Sequence, residues 1–173
     1  ERYHDNVLVN AVVMVLIVMG GLGWRVTSDL ASQGVRRSRR RLSLHTRLVL
    51  RTTLLLVVFG TVGLALTEWL NRGEVFIGMA WRERWMTALF ESVTARTAGF
   101  TTVPFSLENI TDSGTLLLMS LMFIGASPGG TGGGIKTTTV AALMAATRST
   151  MRGRDAVVIR NREIPDKVVL RAL

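Results

Sequence analysis

Long runs without charge constrain this chain more than any other feature. Residues 7–24, "VLVNAVVMVLIVMGGLGW", carry none. Residues 48–67, "LVLRTTLLLVVFGTVGLALT", carry only Arg51, early enough to lay its stem along apolar surface and reach water with its head. Residues 113–135 form a third run, and "TTTVAALMAAT" continues it past Lys136 to Thr147. A helix crossing a bilayer core needs about 20 apolar residues. One such run fits the core of a soluble protein, but three in 173 residues point to spanning helices. Composition agrees: 19% of residues are charged, against roughly 25% in soluble domains. The first run is too long for the apolar part of a secretory signal, and Asp5 precedes it where a basic leader is required. The expectation is a multi-pass protein of the cell membrane.

Charge placement gives its orientation. Arg25, Arg36, Arg37, Arg39, Arg40, Arg41 and Arg47 lie between the first two runs, and Arg148, Arg152, Arg154, Arg160, Arg162 and Lys167 follow the third. The connection 68–112 offsets its arginines with Glu68, Glu74, Glu83, Glu91, Glu108 and Asp112. Basic loops stay in the cytoplasm, so both arginine-rich segments belong there, with Trp24 and Trp69 at span ends. The net charge of +9 and the run "RRSRRR" raise the question of nucleic acid. No aromatics interleave with those arginines, so the topological reading is preferred and no nucleic-acid partner is expected. The absence of cysteine excludes thiol nucleophiles, disulfides and Cys-based zinc sites, and His4 and His45 lie far apart. No enzymatic chemistry is expected, and no resident metal or cofactor.

The connection between the second and third runs holds a further pattern. "RERWMTALFESVTA", residues 82–95, places Trp85, Leu89 and Val93 at helical spacing, with Met86 and Phe90 beside them. It is too short to cross a bilayer, and "RTAGFTTVPF" follows at once. Topology leaves two readings: an outer amphipathic helix with a turn, or a re-entrant pore helix and filter. Ion chemistry favours the second. A dehydrating potassium ion needs oxygens in place of water, and backbone carbonyls of Thr97, Ala98, Gly99 and Phe100 offer them. Gly99 can reach dihedral angles closed to other residues. The carboxyl end of the pore helix adds partial negative charge. One such strand supplies a quarter of a ring.

"ESVTARTAGFTTV" together with "FIGASPGGTGGGIKTTT" resembles the membrane subunit of Ktr/Trk-type potassium uptake systems, the Trk/Ktr/HKT superfamily. "GGLGWRVTSDL" and "LSLHTRLVLRTTLLL" are similar to that family's second-repeat exit helix and the first helix of its third repeat. The resemblance implies an all-α membrane protein in which four repeats of span, pore loop and span surround one pore. On that pattern, residues 1–30 are the second repeat's exit helix and 31–47 a basic cytoplasmic linker. The complete third repeat is 48–148: span 48–68, pore helix 84–95, filter 97–100 and a broken span 113–147. Residues 149–173 are a cytoplasmic linker and the start of the fourth repeat. The implied partners are the remaining repeats, membrane lipid and a cytosolic nucleotide-binding regulatory subunit, with a homodimer of the full-length protein. Potassium is the implied transported ion, and sodium a candidate coupling ion.

The glycine-rich stretch has two further readings. A phosphate-binding loop, G-x-x-x-x-G-K-[ST], needs a strand before it and a second glycine just before the lysine. "LLLMSLMFIG" can be read as that strand, but Ile135 occupies the glycine position and only Gly130 fits. A nucleotide-binding protein using 125–137 is therefore a minor alternative, as is a small basic membrane-anchored interaction protein. The resemblance instead implies a gate loop below the filter, comprising Gly125, Ser127, Pro128, Gly129, Gly130, Thr131, Gly132, Gly133, Gly134 and Lys136. Irregular backbone at membrane depth survives only where it is buried in protein or lines a water-filled cavity. Lys136 either repels cations there or anchors the loop to carbonyls, with the anchor favoured. Gly20, Gly21 and Gly23 are expected to permit close helix contact, and Glu91 with Arg96 to form an ion pair. The glycine loop is expected to lack neighbouring helices in this chain alone, leaving it unstable in membranes and inactive in transport.

Overall fold

The computed structural model describes residues 6–35, 42–70, 74–102, 109–152, 157–159 and 162–164. Helix α1 (Val7–Leu22) begins where Asn6 Oδ1 accepts the N–H groups of Leu8 and Val9, at 3.1 and 3.3 Å. It ends at Gly23, whose φ of 81° turns the chain by 104° into α2 (Trp24–Val35). The expected exit helix through residue 30 is thus two helices at a sharp angle, because only glycine takes that φ without steric cost.

Helix α3 (Leu44–Leu70) is the longest element, 27 residues, or about 40 Å at 1.5 Å per residue. It is long and apolar enough to cross a membrane. Val26 of α2 packs with Leu22 and Val49 in one apolar cluster. Asp29 clasps the start of α3, its Oδ2 accepting from Thr46 Oγ1 at 2.6 Å and from the Ser43 N–H at 3.2 Å. Those hydrogen bonds, Thr46's first, hold its carboxyl below the usual carboxylate range. Hydroxyls within α3 bond back to its own carbonyls, as Thr52 does to Leu48 and Thr61 to Val57, which conceals their polarity from an apolar surround.

A single 3₁₀ turn (Glu74–Phe76) leads to α4 (Trp81–Thr94), which runs back along α3. Gly60 makes this approach possible: a Cβ there would strike Ser92 Oγ, which donates to the Val57 carbonyl at 2.9 Å. Leu64, Phe76 and Ala88 form the second apolar cluster. The last turns of α4 are buried, so the end of this helix is packed into the fold. Helix α5 (Asp112–Phe123) starts at Thr111, which is bonded through N–H and Oγ1 to the buried Glu68 of α3. The chain then leaves helical geometry over 124–136 and resumes as α6 (Thr137–Met151). The fold is helical, in keeping with the expected all-α class, with one short addition outside the helices. An antiparallel hairpin of β1 (Val157–Ile159) and β2 (Arg162–Ile164) pairs Val158 with Glu163. Of residues 149–173, read as a linker and the start of another repeat, 153–156, 160–161 and 165–173 lie outside the described residues.

Candidate ion pathway

Helix α4 ends in a turn whose first bonds continue the helix: Arg96 N–H to the Val93 carbonyl and Ala98 N–H to that of Thr94. Thr97 and Gly99 then take φ of 71° and 78°. A β-branched residue in that region carries strain of order 1–3 kcal/mol, so surrounding contacts must hold it. A Cβ on Gly99 would meet nothing within 4 Å. Glycine is needed there for its dihedral freedom, and crowding plays no part. The Phe100 carbonyl accepts from Thr94 Oγ1 at 2.6 Å, so this oxygen, expected to face an ion, is engaged with the helix.

The 124–136 loop is a narrow hairpin of its own. Gly125 N–H donates to the Ile135 carbonyl, Ala126 N–H to Gly133, and Ile135 N–H to Phe123. The two limbs lie so close that a Cβ on Gly125 would overlap the Gly133 carbonyl oxygen. At the tip, Gly130 N–H closes a turn on the Ser127 carbonyl. Pro128 and Gly129 lie within that turn, and Gly129 and Gly134 both have positive φ. Ser127 and Thr137, both fully buried, share a 2.9 Å hydroxyl bond that pins the tip to the start of α6. Lys136 Nζ donates to the Gly132 carbonyl at 2.8 Å, tying one end of the loop to its middle.

The hairpin docks on the end of α1 backbone to backbone. Ser127 N–H donates to the Gly21 carbonyl at 3.0 Å and Thr131 N–H to Gly20 at 3.2 Å. In return, Trp24 N–H donates to the Gly129 carbonyl at 3.4 Å. A Cβ on Gly23 would stand 2.8 Å from the Pro128 oxygen, and one on Gly130 would stand 2.7 Å from the Gly21 oxygen. These α1 glycines serve the loop, where helix–helix contact had been expected. They also correct the view that the loop lacks neighbouring helices in this chain, because α1 carbonyls accept two of its amides, those of Ser127 and Thr131.

The same bonds dispose of the nucleotide alternative. Helix α5 stands where a strand is required, and the amides of Gly125, Ala126, Ser127, Gly130, Thr131 and Ile135 are spent on carbonyls. None of those six is left to cradle phosphate.

Turn and loop meet beside α1. A cavity of about 390 Å³ is bounded by Ile17 and Gly20 of α1, by Thr97 and Ala98 of the turn, and by Thr131 and Gly132 of the loop. Phe100 also borders it, 59% exposed. A Cβ on Gly132 would strike Thr97 Oγ1, so the loop lies directly against the turn. Gly133 faces open space. Arg96, buried between them, donates from Nη2 to the Gly125 carbonyl at 3.3 Å, while Glu91 accepts from Thr102. The expected Glu91–Arg96 pair is therefore replaced by separate partners. Among the described residues no cluster of His, Cys, Asp or Glu could hold a metal ion.

The geometry has relatives. The model of the TrkH family, described as a cation transport protein, matches residues 1–173. The potassium/sodium uptake protein NtpJ of Enterococcus hirae is 34% identical over 170 residues, covering 98% of this chain and 36% of that protein. The Ktr system potassium uptake protein B of Vibrio alginolyticus is 35% identical over 174 residues, 99% of this chain and 37% of that protein. A crystal structure of the potassium transporter TrkH from Vibrio parahaemolyticus superposes with a TM-score of 0.71 at 22% identity, over 97% of this chain and 36% of that one. That likeness establishes the fold. The chain spans little more than a third of the relatives it matches. Matched along its whole length, the chain is a membrane protein and belongs to the TrkH family of cation transport proteins.

Proposed function

We infer that residues 1–173 form part of the pore of a potassium transporter, with Thr97–Gly99 as one strand of its filter and 124–136 as the gate beneath. The single observation that carries this is the cavity shared by turn and loop, with Gly132 against Thr97. In this reading α3 crosses the membrane, α1, at 16 residues, runs most of the way through it before its bend, α4 is the re-entrant pore helix, and α5 and α6 are halves of one broken span. Helix α5, at 12 residues, reaches only about 18 Å and cannot cross alone. Transport requires the remaining repeats, since one strand fills only part of a potassium ion's coordination shell. The arginine-rich segments 25–47 and 148–167 would face the cytoplasm and a nucleotide-binding regulatory subunit there. A homodimer of the full-length protein, and sodium as coupling ion, belong to the same reading.

Two changes in the full-length transporter test it by flux. Gly99→Ser, which strains a φ of 78°, should lower the preference for potassium over sodium. Deleting Gly130–Gly133, which also removes the Thr131 dock and the Gly133 ladder carbonyl, should lower abundance and raise resting potassium flux in the protein that reaches the membrane. Unchanged selectivity in the first removes the filter assignment. Flux at background from a well-folded deletion variant removes the gate. The chain alone should not support growth of potassium-uptake-deficient cells at low potassium, and robust growth would mean that it assembles a pore by itself.

A further inference from the structure

The filter turn is a costly piece of backbone, with Thr97 and Gly99 both at positive φ, and such conformers persist only where their surroundings over-determine them. Continued helical hydrogen bonds fix its start. Its exit is held by two side chains of α4, spaced three residues apart and so on one face of the helix. Thr94 Oγ1 donates to the Phe100 carbonyl at 2.6 Å. Glu91 Oε1 accepts both the N–H and the hydroxyl of Thr102, at 3.2 and 3.3 Å. Glu91 and Thr94 are 4% and 7% exposed, so water does not compete for these bonds.

We propose that Glu91 and Thr94 are positioning residues for ion selectivity, clamping the segment that leaves the filter turn so that the carbonyls of Thr97, Ala98 and Gly99 keep their spacing. The proposal rests on the filter reading above. It also assigns the Phe100 carbonyl to the clamp and leaves three carbonyls from this strand for the ion. Carbonyl arrays separate potassium from sodium through cavity size and the field and number of their dipoles. A loosened exit lets the carbonyls close on the smaller ion, so the clamp acts on discrimination more than on throughput. Glu91 contributes an acceptor oxygen, which a glutamine amide also supplies.

The test measures potassium-over-sodium selectivity, maximal potassium uptake and membrane abundance of the full-length transporter. The variants are Glu91→Ala, Glu91→Gln, Thr94→Val and Thr94→Ser, with Gly99→Ser alongside. Losing a buried hydrogen bond shifts a conformational equilibrium by roughly three- to tenfold. Selectivity should fall by that much in Glu91→Ala and Thr94→Val, while Glu91→Gln and Thr94→Ser keep it and abundance stays level. Should Glu91→Ala fail to reach the membrane, the nearly isosteric Thr94→Val decides. Wild-type selectivity in Thr94→Val, or equal loss in all four variants, overturns the clamp. Gly99→Ser separates the two failures. If it too leaves selectivity unchanged, the filter reading is lost; if it lowers selectivity while Thr94→Val does not, only the clamp is lost.

Discussion

The turn after α4, proposed above as a filter strand, and the glycine-rich loop face one cavity but are held in opposite ways. The turn is fastened by side chains: a threonine hydroxyl and a glutamate carboxylate reach from α4 to Phe100 and Thr102. The loop is fastened chiefly by backbone, its limbs to each other and its tip to the Gly20 and Gly21 carbonyls of α1. Side-chain fastening tolerates added bulk but not lost polar atoms. Backbone fastening tolerates many side-chain losses but not an added Cβ where two main chains touch. The two regions should therefore fail under different substitutions.

The largest effect belongs to Gly125→Ala. Its methyl would occupy the position of the Gly133 carbonyl oxygen, so the limbs must part and give up their ladder. Overpacking against fixed backbone costs about 1–3 kcal/mol, and the freed buried amides add about 1–3 kcal/mol each. The full-length protein should fail to accumulate in membranes, or unfold at clearly lower temperature. Normal abundance and melting would mean that the limbs are not held as described.

Next comes Gly23→Ala, which tests the dock between the loop and α1. It forces a φ of 81° on alanine and sets a methyl 2.8 Å from the Pro128 oxygen and the Gly129 carbon. The bend and the dock both loosen, at a cost of about 1–3 kcal/mol. Resting potassium flux should rise while selectivity, set by the turn and its own contacts with α4, holds. A parallel loss of selectivity would show that loop and turn are one mechanical unit, and the contrast drawn above would fall.

How much of this was legible beforehand follows the same division. Uncharged runs mark long helices, because each apolar residue adds its own signal; the reading 48–68 lies inside α3, Leu44–Leu70. The stretch 84–95 overlaps α4, Trp81–Thr94, through its apolar spacing. Gly125–Gly134 stood out as non-helical by composition, and the chain leaves helix over 124–136. What stayed hidden was backbone-to-backbone contact, which leaves no side-chain signature. "GGLG" reads identically whether it packs a helix, caps one or receives a loop, so its bend and dock were missed. Nothing in the sequence singled out Thr94 or Thr102, because a hydroxyl's partner lies in tertiary structure. The 157–164 hairpin was hidden in a charged segment lacking a turn signal such as Asn-Gly.

Lys136→Met probes the loop's polar side-chain tether. It removes the 2.8 Å bond to the Gly132 carbonyl while keeping the apolar stem. A hydrogen bond from a charged donor contributes about 1.5–3 kcal/mol, but the ladder and the α1 dock remain. Resting flux should rise several-fold, less than in Gly23→Ala, with abundance unchanged. If Lys136 instead repelled cations directly, Lys136→Arg would keep flux low as well as wild type; a tether fitted to ammonium geometry should be restored only in part. Equal low flux in both the wild type and Lys136→Met removes the tether.

The smallest effect is expected at Gly133→Ala, in the same loop and eight residues from the most damaging site. Gly133 has no positive φ, and a Cβ there meets nothing within 4 Å, although its own carbonyl receives the Ala126 N–H. Its methyl would point away from the ladder, so the rule that added bulk breaks this loop must fail at this position if contact, and not glycine content, is the cause. Stability should stay within about 0.5 kcal/mol of wild type, and resting flux should be unchanged. The comparison with Gly125→Ala is internal, since both add one methyl to one hairpin in one protein. A large loss at Gly133 would mean that its open side is filled in the complete transporter. The loop would then be gripped on both faces, and the contrast between a side-chain-held turn and a backbone-held loop would need a third surface that the described residues do not supply.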